Sequence, residues 1–106
     1  MTQTVHDRLE RLRLANEIRS RRAALKRHLG GGTISLSWVL RANKGYVQTM
    51  RIAALLQATP RIGQTKAQRA LKAVGISPTA RLRSISMVRR EALIKWLSEH
   101  YPAVRV

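Results

Sequence analysis

The ionisable side chains of this chain are suited to holding anions, and they offer no set of residues for catalysis. Cys is absent, and His6, His28 and His100 lie too far apart in sequence to form a metal-ligand set. The five acidic residues provide no carboxylate pair, and neither a Ser/His/Asp grouping nor a phosphate-loop motif occurs. We therefore expect no enzymatic activity, no cofactor and no bound metal.

The basic residues define the class of partner. Lys and Arg together number 21 against five acidic residues, which gives a formal net charge of +16 and an isoelectric point near 12.0. A folded chain with this charge repels itself unless a polyanion or salt neutralises it. The candidate polyanions are DNA, RNA and anionic lipid. A hydrophobic content of 44% in 106 residues indicates one folded domain rather than a disordered basic tail.

The segment from Met50 to Arg83 has the residue types and spacing of a phosphate-binding site. Helices predicted to begin near Thr65 and Thr79 would present unpaired backbone N–H groups and the positive ends of their dipoles. Gly63 would let the backbone approach a phosphate closely. Four basic residues would add charge around the same place: Arg51, Lys66, Arg81 and Arg83.

The same residues also have interpretations that involve no ligand. Gly63 alone could be the left-handed cap of a helical hairpin. Arg81 and Arg83 could form a solvated basic face. Their position in a turn with Pro78 and Thr79, within a strongly basic chain, favours phosphate binding over that interpretation.

A long basic helix is predicted at the N-terminus, over residues 5–29, where neither Gly nor Pro occurs. Apolar residues follow it at helical spacing and only the second half need pack firmly; they are Val5, Leu9, Leu12, Ala15, Ile18, Leu25 and Leu29. The three glycines at positions 30–32 would end this helix and act as a hinge. We therefore divide the chain into residues 1–32, the helix and hinge, and residues 33–106, a compact helical module.

The module is predicted to be entirely helical. A short helix would run from an N-cap at Thr33 through Ala42, followed by a turn at 43–45 and a central, most buried helix over 46–58. A helix from near Thr65 would be capped by Gly75, one basic turn of helix would follow within 76–84, and a last helix would begin at the N-cap Ser86 and stop before Pro102. The side chains expected in the core include Trp38, Trp96, Met50 and Met87.

The Arg-rich N-terminal helix has three possible roles at this stage: a DNA clamp, a membrane-surface helix or a partner helix. Its apolar face lacks Trp and Phe, which weakens the membrane interpretation. The N-terminus carries charges and no apolar signal segment, and the longest strictly apolar run is residues 52–56. We expect a cytoplasmic protein that does not bind membranes.

Two short patterns carry a resemblance to a known family. They are Pro-x-Ile-Gly-x-x-Lys-Ala at residues 60–67 and Gly-Ile-x-Pro-Thr-x-Arg-Leu-Arg at residues 75–83. Together with the surrounding sequence, these patterns resemble the actinobacterial (mycobacterial-type) integration host factor family over roughly residues 23–97. The surrounding sequence that shares the resemblance reads GGTISLSWVLRAN…MRIAALLQATPRIG…REALIKWL. The chain departs from that family at Ala80, at Lys44-Gly45-Tyr46 and at Gln64-Thr65, which indicates a divergent member.

The resemblance implies an all-α fold with a long N-terminal helix packed on a helix-two-turn-helix (S13-like) module. It implies a nucleoid-associated protein that binds double-stranded DNA with little sequence preference, bends or compacts it and supports phage integrase. By the same match, the turn at residues 62–66 and the basic turn with Arg81 and Arg83 would touch phosphates. The N-terminal helix would act as a lid on a second DNA surface.

The predicted function is therefore duplex DNA binding by a monomer, and two alternatives remain open. One is an rRNA-binding protein of ribosomal type, since Arg-rich helices beside a phosphate-binding turn suit RNA as well. The other is an adaptor whose basic face docks an acidic protein. The residues predicted to bind DNA are Arg19, Arg22, Lys26, Arg51, Arg61, Ile62, Gly63, Gln64, Thr65, Lys66, Arg69, Arg81 and Arg83.

Overall fold

The computed structural model describes residues 2–42 and 45–106, with the backbone alone described for residues 2 and 3. The described part is helical, as predicted. Its elements are α1 (Thr2–Gly30), α2 (Leu36–Arg41), α3 (Gly45–Gln48), α4 (Ile52–Ala58), α5 (Gln64–Val74), a 3-10 turn (Leu82–Ser84) and α6 (Met87–His100). The turn predicted at 43–45 includes Asn43 and Lys44, which lie outside the described residues.

The long helix α1 reaches well beyond the rest of the fold. Its 29 residues span about 43 Å at 1.5 Å per residue, within a molecule of 57 × 27 × 23 Å. Leu25 and Leu29 are buried, whereas Val5 and Leu9 are about 60% exposed. The predicted packing of the second half is therefore confirmed. The single apolar seam along the whole helix is wrong, because the first apolar residues point away from the core.

The turn of three glycines ends α1 and delays the start of α2. Gly32 has a φ of +75°, and the amide of Thr33 donates to the carbonyl of His28 at 3.0 Å. Thr33 thus still belongs to the end of α1, so its predicted role as an N-cap is wrong. Ser35 caps α2 instead, its Oγ accepting from the amide of Trp38 at 3.2 Å.

The buried face of α2 has the predicted aliphatic residues without the predicted tryptophan. Leu36, Val39 and Leu40 are buried and form the inner face of α2. Trp38 is 48% exposed, because it lies on the opposite side of this short helix. Its predicted inward orientation is wrong.

The predicted central helix over 46–58 is two helices, α3 and α4, joined by an extended segment. The carbonyl of Met50 accepts from the amide of Leu82 at 2.9 Å, and the amide of Ile52 donates to Ala80 at 3.0 Å. These bonds form an antiparallel bridge between Arg51 and Arg81. A continuous helix would need the same backbone groups for its own bonds, so the long-range pairing breaks the helix here.

The boundaries around α5 and α6 agree with the sequence predictions. Gly75 ends α5 in the left-handed conformation at φ +78°. Ser86 caps α6, its Oγ accepting from the amide of Arg89 at 3.3 Å, and α6 ends at His100. Met87 is 49% exposed because it begins α6 on the solvent side, so its predicted place in the core is wrong, whereas Met50 is buried.

One buried cation, Arg90, fixes the 3-10 turn to the core. Its guanidinium donates to the carbonyls of Ile85, Leu40 and Leu82 at 2.9, 3.1 and 2.7 Å, and to Gln48 Oε1 at 3.2 Å. Burial lowers the pKa of Arg90, because the charged form loses solvation. This structural arginine holds the turn that follows Arg81, and nothing in the sequence distinguished it from the other arginines.

The core joins the second half of α1 to the rest of the molecule. Leu25 and Leu29 belong to the same hydrophobic cluster as the buried residues of α2, α4, α5 and α6. The proposed division of the chain at residues 32 and 33 stays a prediction.

Candidate nucleic-acid interface

The predicted site residues do not form one cluster, because most of them lie at one end of α4 or the other. The turn group follows the end of α4 and comprises Arg61, Ile62, Gly63, Gln64, Thr65 and Lys66. The seam group lies at the start of α4 and comprises Arg22, Lys26, Arg51 and Arg81. The seven residues of α4 separate the two by about 10 Å. Arg51 and Arg81, which were predicted to lie around the same place as Lys66, therefore lie at the other end of α4.

The turn group presents the N-terminus of α5 to solvent. Gly63 is its N-cap with φ −89°, and within the described residues no side chain caps this end. The first N–H groups of an α-helix have no intrahelical partner, so those at the start of α5 are available to an anion. The left-handed conformation predicted as an alternative for Gly63 is wrong. It occurs at Arg61 instead, with φ +70°.

Two side chains of the turn group, those of Ile62 and Lys66, hold its conformation. Ile62 is buried and its amide donates to the carbonyl of Thr59 at 3.2 Å, so it anchors the turn in the core. Lys66 Nζ donates to the carbonyl of Arg61 at 3.3 Å and lies 5.1 Å from the ring centre of Tyr101. Lys66 thereby stays beside the free end of α5.

The second predicted helix N-terminus, near Thr79, is wrong. Thr79 lies in a turn in which its amide donates to Ser77 Oγ at 3.4 Å, and the helical turn begins only at Leu82. Pairing with residues 50–52 keeps the backbone extended through Arg81, with ψ 155°, and this delays the helical turn. The predicted basic turn of helix within 76–84 is confirmed as a 3-10 turn.

The seam group surrounds a surface depression between α1 and the module. Its lining consists of Arg22, Lys26, Thr49, Met50, Arg51, Ala54 and Arg81, with no acidic residue among them. Arg22 Nη2 donates to Thr49 Oγ1, and Arg81 Nη1 donates to the Thr49 carbonyl at 2.5 Å. Thr49 thus orients both guanidinium groups. Sequence reasoning missed Thr49, because it lay inside a segment predicted to be continuous helix.

The remaining predicted residues are exposed and belong to neither the turn group nor the seam group. Arg19 on α1 donates to Asn16 Oδ1 at 3.1 Å. Arg69 on α5 and Arg83 on the 3-10 turn face solvent. They enlarge the basic surface without joining either group.

Other basic residues are already engaged within the protein. Arg41 Nε lies 2.7 Å from Glu91 Oε1, and this pairing lowers the pKa of the Glu91 carboxyl. Arg89 Nη1 donates to the carbonyl of Gly75 at 2.7 Å. Net charge alone therefore overstates the cations available to a ligand, and position decides which of them can bind it.

Over residues 2–42 and 45–106, no group of three or more His, Asp or Glu side chains could hold a metal ion. Of the helices in these same ranges, none combines the length and the apolar content needed to cross a bilayer.

Comparison with known proteins gives the class of this fold. Residues 29–97 match the S13-like H2TH domain family. A solved structure of sIHF bound to an 8-base-pair palindromic DNA matches with a TM-score of 0.74 at 26% sequence identity, covering 79% of this chain and 97% of that one.

Curated relatives give the family within that class. Proteins named integration host factor from Mycobacterium tuberculosis and Mycolicibacterium smegmatis are each 35% identical over 94 residues, covering 87% of this chain and 90% of each relative. The chain therefore belongs to the mycobacterial-type integration host factor family, as a divergent member. The resemblance carried by residues 60–67 and 75–83 is confirmed.

Proposed function

We propose that the chain binds double-stranded DNA through backbone phosphates, with little sequence preference, as a nucleoid-associated protein. The observation that carries this proposal is the seam group, in which four basic side chains surround a depression that no acidic side chain lines. Phosphate contacts fix a protein on a duplex without reading its sequence. The match to a structure of a DNA-bound relative supports the same ligand class.

Two separated groups also suit the bending of DNA. The turn group and the seam group lie at opposite ends of α4, about 10 Å apart along it. Bending requires contacts at two separate places on a duplex. We propose that each group holds one such place, that a monomer suffices, and that the bent DNA supports site-specific recombination by a phage integrase.

A salt titration of a duplex tests the binding proposal. If about six phosphates are neutralised, the logarithm of the affinity falls against the logarithm of the salt concentration with a slope of about −5. Arg81→Ala removes one cation of the seam group; it should weaken binding to all sequences alike and flatten that slope by about one unit. Arg41→Gln is the matched control, since Arg41 is paired with Glu91 and its loss should leave the slope unchanged.

The same titration with an RNA duplex of equal sequence separates the alternatives. Tighter DNA binding with the expected slope supports the proposal. Equal or tighter RNA binding would indicate a ribosomal-type protein instead. No binding to either, with capture of an acidic protein, would indicate an adaptor.

Bending is tested with fluorophores at the two ends of a duplex. A Cβ added at Gly63 would meet no atom within 4 Å, and its φ of −89° is open to any residue. Gly63→Ala should therefore fold normally. Its added methyl group should prevent a phosphate from approaching the first amides of α5. We expect this variant to retain binding through the seam group and to lose energy transfer between the duplex ends. Unchanged energy transfer would show that the turn group does not bend DNA.

A further inference from the structure

We infer that the depression of the seam group is a discrete site for one phosphate or sulfate ion, and that this ion fixes the second half of α1 to the module. The inference rests on the proposed function only in that a DNA phosphate is one source of the ion. Two of the cations, Arg22 and Lys26, come from α1, and the other two, Arg51 and Arg81, come from the module. Any anion bound between them touches both parts of the molecule.

The site is already oriented before any ion binds. Thr49 accepts two hydrogen bonds, one from Arg22 through its Oγ1 and one from Arg81 through its carbonyl oxygen. The Thr49 hydroxyl in turn donates to the Tyr46 carbonyl at 3.0 Å. The bridge between Arg51 and Arg81 fixes the backbone of both residues. Guanidinium groups held in this way can bind phosphate oxygens with little further loss of side-chain entropy.

One donor at this site has no partner within the described part of the chain. Arg22 Nε is buried, yet it makes no hydrogen bond there. An unpaired donor on a charged group is unfavourable, so such groups usually mark the place of a ligand or an ordered water. Four cations and no acidic side chain line the depression, so an anion is the ligand that its charge favours.

The charges of the seam explain why the ion would control α1. Leu25 and Leu29 hold the end of α1 in the core, but ahead of Leu25 no described side chain of α1 is buried, and its contacts with the module are made by partly exposed residues. These contacts include the Arg22 bond to Thr49 and the Arg21 guanidinium 6.0 Å from the ring centre of Tyr46. The cations of α1 and of the module repel each other across the depression. An anion between them replaces that repulsion with attraction on both sides.

Amide hydrogen exchange of the full chain tests this coupling. Inorganic phosphate is compared with sodium chloride at equal ionic strength and pH. We expect the amides of residues 19–25 to exchange about tenfold more slowly when phosphate is at ten times its dissociation constant. Lys26→Gln should abolish most of this protection. Arg27→Gln is the matched control: it removes the same charge from the neighbouring position, which does not line the depression, and should keep the protection.

The outcomes distinguish a specific anion site from general charge screening, and they test the proposed DNA binding separately. Equal protection in wild type, Lys26→Gln and Arg27→Gln would show general screening and would overturn the inference, as would no protection by phosphate. A parallel arm with a short DNA duplex distinguishes the two sources of phosphate. If the duplex binds while phosphate leaves α1 unprotected, the inference fails and the proposed function stands. If phosphate protects α1 while no duplex binds, the site stands and the proposed function fails.

Discussion

The two halves of α1 have the same secondary structure and opposite roles. Residues 18–30 contribute Leu25 and Leu29 to the core and Arg22 and Lys26 to the seam group. Residues 2–17 contribute no buried side chain among those described. A helix can therefore be continuous along the backbone while its two halves differ in burial and in charge.

Charge separates the halves as clearly as burial does. Residues 2–17 hold three arginines and three carboxylates, which cancel: Arg8, Arg11, Arg13, Asp7, Glu10 and Glu17. Arg13 lies 2.5 Å from Glu10 and 2.9 Å from Glu17, so part of this charge is paired within the helix. The formal charge of +16 therefore resides in the rest of the chain. The first half is therefore poorly suited to binding phosphates, and we restrict the proposed DNA lid to the second half of α1.

The largest expected effect of this comparison concerns stability. Leu29→Ala removes a fully buried side chain and should lower the free energy of unfolding by about 2–5 kcal/mol. Leu9→Ala is the matched substitution in the first half, where the side chain is 61% exposed. It should change stability by less than about 0.5 kcal/mol. Urea unfolding monitored by circular dichroism measures both, and equal losses would show that the first half packs on the module.

The next effect concerns DNA affinity. Replacing Arg19, Arg22 and Lys26 together with Gln should flatten the salt dependence of duplex binding by about two to three units. The same triple replacement at Arg8, Arg11 and Arg13 should flatten it by less than about one unit, because these cations have neighbouring carboxylates. Fluorescence anisotropy titrations at several salt concentrations compare the two variants. Equal flattening would mean that the neutral half also holds phosphates.

The smallest expected effect comes from removing the first half altogether. Deleting residues 2–17 leaves the formal net charge unchanged, since its arginines and carboxylates are equal in number. We expect stability within about 0.5 kcal/mol of the full chain and an unchanged affinity for a single duplex. Calorimetric melting and the same anisotropy assay check this. An affinity loss as large as that of the Arg19, Arg22 and Lys26 triple would contradict the division of α1.

Local sequence signals predicted much of the fold. The glycines at 30–32, Gly75 and Ser86 mark helix ends through backbone preferences that act within a few residues, and the structure has them where expected. The errors occur where distant parts of the chain decide the local structure. The break between α3 and α4 exists because residues 50–52 pair with residues 80–82. The sequence of residues 46–58 contains no pattern that predicts this pairing.

Apolar spacing failed for a related reason. Val5, Leu9 and Leu12 lie about 150° around α1 from Leu25 and Leu29, at 100° per residue. Each set has helical spacing, but the two sets lie on different faces of α1. No single apolar face therefore contains both. Which face meets the module depends on where α2 to α6 lie, and that is a property of the whole fold.

The candidate site was predictable by residue type and only partly by position. The Arg and Lys residues of the turn group and the seam group were identified from the sequence. Arg51 and Arg81, however, were expected beside Lys66, and the cations of α1 were expected on a second DNA surface. The separation of the two groups follows from the direction of α4, which puts Arg51 at one end and Arg61 beyond the other. Thr49, which orients two guanidinium groups, carries no charge and gave no signal.

The most direct test of the central claim is a crystal structure of the full chain with a short DNA duplex. The account predicts one phosphate within hydrogen-bonding distance of Arg22 and Arg81 in the depression, and another at the backbone amides that begin α5. It also predicts no DNA contact along residues 2–17. Phosphates that lie along the first half of α1, with the depression and the start of α5 both free of DNA, would contradict it.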